Sequence, residues 1–95
     1  MTQDDQFEKF RILLENNHQF PCVYTHKFIG AHSPIFKSSV ADFEKKFIGL
    51  TRISERLSAS GKHLALTYEY QAGSPDDVIQ LLVETHKLNN LIYII

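Results

Sequence analysis

One segment of this 95-residue chain has residue types that suggest phosphate or acyl chemistry: "RLSASGK", Arg56 to Lys62. A phosphate-cradling loop reads GxxxxGK[ST] and runs from a strand into a helix, so that backbone N–H groups and a helix N-terminus face the anion. Here Arg56 stands at the first glycine, and His63 replaces the hydroxyl residue that would hold magnesium. An alternating apolar run follows instead of a helix. A lysine-activated serine of the S-x-x-K kind fails as well, because Gly61 stands three residues after Ser58. Small polar residues ending in Gly61-Lys62 between two alternating runs form a hairpin signal, with glycine supplying a positive φ. The segment reads as a turn.

The remaining chemistry-bearing residues are scattered. His18, His26, His32, His63 and His86 show neither H-x-x-x-H nor a Cys/His pair, so no metal site is expected and the histidines read as surface or partly packed. Cys22 is the one cysteine. It cannot close an internal disulfide, which fits a reducing compartment, and without a neighbouring basic residue it reads as a small strand residue. Asp76 and Asp77 suit the positive N-terminus of a helix. Glu55 and Glu69 have no identifiable partner. The expectation is a protein that is not an enzyme and needs no cofactor.

The elements that position these residues follow from hydrophobic spacing. Phe7, Phe10, Leu13 and Leu14 fall close to helical period, with Asp4 or Asp5 as cap and Asn16-Asn17 as the end. That divides the chain into a helical extension, residues 1–18, and a domain, residues 19–95. "FPCVYTHKFIG" reads as a strand from Cys22 to Ile29, with Pro21 just before it. Ser33 caps and Pro34 opens an amphipathic helix carrying Phe36, Val40, Phe43 and Phe47, which Gly49 closes. "LTRISERLS" and "KHLALTYEYQ" are two strands. Ser74, Pro75 and Asp77 begin a second helix as a capping box, with Val78, Leu81, Leu82 and Val83 as its buried stripe. "LIYII" is a short, wholly apolar last strand.

The order is a helix followed by β-α-β-β-α-β, which predicts an α+β, ferredoxin-like sandwich: a four-stranded antiparallel sheet with both crossover helices on one face. Strands one and three form the central pair. Alternation places Leu64, Leu66, Tyr68 and Tyr70 toward the helices, and likewise Tyr24, His26 and Phe28. Thr25, Lys27, Thr67 and Glu69 are left for the helix-free face, with Lys27 and Glu69 as neighbours. Folds of this topology that bind RNA stack bases on aromatics of that free face. Here the tyrosines point the other way, and "GKHLALTY" does not match the aromatic-rich RNA-binding pattern.

Composition sets the outer bounds. Ten Lys/Arg against eleven Asp/Glu give a net charge of -1, with no overall attraction for nucleic acid or anionic lipid. No apolar run approaches membrane-spanning length, and "MTQDDQFEKF" has no apolar signal segment. A cytoplasmic location is expected.

"FPCVYTHKFIG", the Arg56, Ser58, Gly61, Lys62 hairpin and the Ser-capped second helix together resemble the YbeD-like family of small bacterial proteins. The likeness runs from about Phe20 to Ile95. It departs after the hairpin Gly-Lys, where the family usually carries an aromatic and this chain has His63. The resemblance implies a fold similar to ACT domains, the amino-acid-sensing modules of metabolic enzymes, and a family role that is largely unassigned, with some members tied to lipoate metabolism. It also implies a ligand position in the loop after strand one, here Gly30, His32 and Ser33. The acidic residue and Pro-Gly that mark amino-acid binding are absent from that loop.

The expected function is a non-catalytic regulatory or protein-interaction module, sensing a small metabolite or modulating a partner enzyme, paired with a protein partner or with its own copy. The alternative is RNA binding through a local basic patch of Arg52, Arg56 and Lys62, extended by Lys27.

Overall fold

The protein is described by a computed structural model covering residues 3–95, with side chains from Phe7 onward. Its elements are α1 (Gln3–Asn17), β1 (Cys22–Ala31), α2 (Pro34–Lys45), β2 (Leu50–Leu57), β3 (His63–Ala72), α3 (Pro75–His86) and β4 (Leu91–Ile94). The four strands form one antiparallel sheet in the order β2-β3-β1-β4, the expected ferredoxin-like arrangement with β1 and β3 at its centre. Helix α1 starts at Gln3, so Asp4 and Asp5 lie within its first turn rather than before it, and their side chains fall outside the described residues.

Period-two register holds in the central strands. Phe28, Leu64, Leu66, Tyr68 and Tyr70 are buried under the helices, against Phe36, Val40 and Phe43 of α2 and Val78 and Leu81 of α3. Aromatic packing sets the middle of the core: the Phe28 and Tyr68 rings stack at 5.5 Å, and Phe43 meets both nearly edge-on. Helix α3 also buries Ile79, which helical spacing from Val78 did not single out.

Several local expectations are corrected. Helix α2 ends on Lys46, whose N–H donates to the Phe43 carbonyl; Gly49, at φ 84°, instead turns the chain into β2. Ser33 caps α2 through its side chain, but Ser74 makes no such bond at α3. There the carboxylate of Asp77 accepts from the Gly73 N–H at 2.8 Å, one residue earlier than a capping box would reach. Across the central pair, Thr25 stands opposite Glu69 and Lys27 opposite Thr67, so Lys27 and Glu69 are diagonal rather than direct neighbours.

Helix α1 packs along α3. Leu14 is buried in the same core, Phe7 and Phe10 pack against it, and the Arg11 guanidinium meets Asp76 at the start of α3. This ties the extension to its own domain. Among the described residues no helix is long and apolar enough to cross a membrane.

Candidate functional site

The residues singled out in the β1–α2 loop and in the hairpin come together at one end of the sheet. The His32 N–H donates to the Lys62 carbonyl at 2.9 Å, and His32 Nδ1 lies 3.0 Å from the Gly61 carbonyl. A carbonyl only accepts, so His32 Nδ1 is the donor in this contact. The α3–β4 turn joins from the other side: Ala31 N–H donates to the Asn90 carbonyl, and Asn90 Nδ2 donates to Ser33 Oγ at 3.2 Å. Ser33 Oγ also accepts from the Phe36 N–H, which fixes the first turn of α2. Three connections therefore lock into one junction.

The geometry of that junction gives these residues structural work. Gly30 is buried, and the position its Cβ would take is filled by the ring of Phe36. Its lack of a side chain admits a core aromatic, and no space is left above it. In the hairpin, Ser58 Oγ accepts from the His63 N–H at 3.1 Å and sits 3.2 Å from Ser60 Oγ, while Ser60 Oγ faces the Lys62 N–H. Gly61 has φ 76°, the left-handed backbone the turn requires. The Lys62 side chain points to solvent without an ion pair among the described residues.

The basic residues of β2 do not form one patch. Ile53 has no partner between the Arg52–Tyr68 and Ser54–Thr67 pairs, a β-bulge that reverses parity along the strand. Arg52 consequently pairs with Tyr68 on the helix side, whereas Arg56 pairs with Ala65 on the free face. Arg52 is neutralised by Glu44 and Glu55, each at 2.6 Å, and its guanidinium lies 6.0 Å from the Tyr68 ring centre. The Tyr68 hydroxyl donates to the same Glu44 carboxylate. Burial and the adjacent carboxylate push the Tyr68 pKa up strongly, so the phenol stays a hydrogen-bond donor. This network lines a cleft of about 250 Å³ between α2 and β2, walled by Lys37, Arg52 and Glu55 over Val40, Leu64 and Leu66.

The free face carries apolar residues beyond the Thr25, Lys27, Thr67 and Glu69 that alternation assigned to it. Alternation and the two bulges turn Val23, Ile53, Ile92, Tyr93 and Ile95 to that side or its edge, and each is about half exposed. On β4, Ile92 has no partner between the Tyr93–Ile29 and Leu91–Gly30 pairs, a second bulge, which is why an unbroken apolar run can serve a one-sided sheet. The wholly apolar "LIYII" was the available signal. The bulges, which decide orientation, leave no mark in composition.

His26 was also under-read. It is fully buried, with Nε2 2.9 Å from Thr85 Oγ1, and that hydroxyl donates its own proton to the Leu81 carbonyl at 2.7 Å. Thr85 can therefore only accept from His26, which fixes the tautomer with hydrogen on Nε2. Burial, with a smaller effect from His86, lowers the His26 pKa to about 4, and the ring is neutral in the folded protein. Among the described residues no three His, Cys, Asp or Glu side chains gather into a group that could hold a metal.

Neither a curated protein nor a solved structure matches the chain. A family model does: that of the family described as protein of unknown function (DUF493), over residues 15–95, from the last turn of α1 to the final residue. The β1 and hairpin motifs, the ferredoxin-like sheet built around them and this match agree, and the chain belongs to the DUF493, or YbeD-like, family.

Proposed function

We propose that this chain is a non-catalytic protein-association module that docks a partner on the helix-free face of its sheet and thereby modulates that partner. The observation that carries the reading is the uncovered set Val23, Ile53, Ile92, Tyr93 and Ile95, which has no helix, loop or strand over it among the described residues. Exposed apolar surface of this kind is the mark of an interaction site. Polar residues of the two central strands, Lys27 and Glu69 among them, stand between Val23, Ile53 and the β4 residues, and Arg56 adds a charge on β2. The polar residues first considered for ligand chemistry are occupied in closing the junction, which supports a surface role over a pocket role.

Val23→Lys tests this without touching the core, because Val23 faces solvent opposite Gln71. Cross-linking of the tagged chain in its native cell, followed by mass spectrometry, should recover a defined protein set with the wild type and lose it with the variant. Circular dichroism should show both folded. An unchanged set from the Val23→Lys chain would refute the reading. Salt-sensitive recovery of RNA in place of protein would favour the alternative, through Lys27 and Arg56.

A further inference from the structure

The sheet has two edges, and they are built differently. Both carry a bulge, but β2 also carries Arg52, Glu55 and Arg56, charges that discourage strand-to-strand association. β4 and the residue after it, Leu91-Ile92-Tyr93-Ile94-Ile95, hold no charge and no proline. The Ile95 N–H donates to the Lys27 carbonyl at 2.9 Å, so residue 95 turns its backbone toward β1. By the alternation of an antiparallel ladder, the N–H and C=O of Ile94 face the open edge. Tyr93, paired with Ile29, stands half exposed on the helix-free side.

Building on the association reading above, we propose that the partner at this edge is a second copy of the chain, joined by antiparallel β4–β4 pairing across a two-fold axis that passes beside Tyr93. Antiparallel pairing of a strand with its own copy is isologous, so residues meet their own equivalents across the axis. A strand with charged residues would set like charges against each other. β4 has none, which makes it the edge where self-pairing carries no electrostatic penalty. The open backbone groups of Ile94 would gain partners, and the two Tyr93 side chains would meet at the non-hydrogen-bonded position where facing residues approach closest. The four-stranded sheet is then continued by its copy into one sheet with all helices on the same side. A contact built on so few residues is at the small end of specific interfaces, and a weak, concentration-dependent equilibrium follows.

Sedimentation equilibrium of the full chain reads this directly. The wild type should rise from 11.0 kDa toward twice that mass with concentration. Tyr93→Lys and Tyr93→Glu should each stay monomeric, through like charges at the axis, and an equimolar mixture of the two should associate again. Leu57→Lys, at the opposite edge and outside the docking set, should behave as wild type. A wild type that stays at 11.0 kDa up to about 1 mM overturns the proposal. So does a Tyr93→Lys chain that associates as well as wild type, or a mixture that fails to recover. The broader reading falls separately: a monomeric wild type whose Val23→Lys variant still loses other proteins overturns only the second copy as partner.

Discussion

The Cα of Gly30 lies beneath the ring of Phe36, which is itself fully buried and walled by Phe28. A methyl group at position 30 would overlap that ring, and the ring has no free volume to move into because cores are close-packed. Gly30→Ala should therefore cost about 1–3 kcal/mol, the usual range for overpacking, read as a lower urea midpoint with an unchanged m-value. A variant as stable as wild type would show that the loop holds spare room after all. In the sequence Gly30 stood out only as part of the ligand position that the family resemblance implies, and the group that approaches it was not legible. A bound ligand and a core aromatic make the same demand on that position. Only the tertiary neighbour, six residues away along the chain, separates the two. His26 shows the converse: in sequence it was one of five scattered histidines, and its meaning depends on Thr85, on a different element.

Elements show where local sequence rules suffice and where they stop. "SPIF" and "SPDD" open two helices with the same serine–proline signal, and both helices form as expected. Only Ser33 uses its hydroxyl, toward the Phe36 N–H, while Asp77 takes over the corresponding region of α3 by accepting from Gly73. Ser33→Ala should lose about 1 kcal/mol of stability, the usual worth of a side-chain cap. Ser74→Ala should change stability by under about 0.5 kcal/mol, as surface substitutions do. Equal losses in chemical denaturation would mean that the serines act through backbone conformation instead. The strands divide similarly. β1 and β3 follow alternation from end to end, because both are paired on two sides and one face is buried. β2 and β4 are edges, each shifted by a bulge, and the expected neighbourhood of Arg52 and Arg56 failed for that reason. An edge strand can absorb an extra residue because one side of its ladder is free.

At the scale of the whole molecule, the two layers are held by burial and by a few polar links that cross between them. Glu44 of α2 binds Tyr68 of β3 and Arg52 of β2, and Thr85 of α3 binds His26 of β1. The layer architecture itself was readable from element order, since two right-handed crossovers on a β-α-β-β-α-β chain leave one arrangement. The cross-links were not, because they join residues far apart in sequence. The His26 link makes global stability depend on pH with a definite sign. Its pKa falls from the ordinary 6.5 to about 4 on folding, because burial disfavours the cation and His86 adds like-charge repulsion. The unfolded chain therefore takes up the proton first as pH falls, and the contribution of the neutral ring is complete above pH 6.5 and lost as pH drops toward 4. The full shift corresponds to about 3 kcal/mol, of which about 2 kcal/mol is gone by pH 5. Urea unfolding at about pH 7.5 and pH 5 should show the wild type losing roughly that much more stability than His26→Gln, whose amide can still donate to Thr85 but does not titrate. Parallel losses in the two proteins would mean that the imidazole takes up its proton in the folded state as readily as in the unfolded one. The core would then have to yield locally around β1 and α3 to admit the cation.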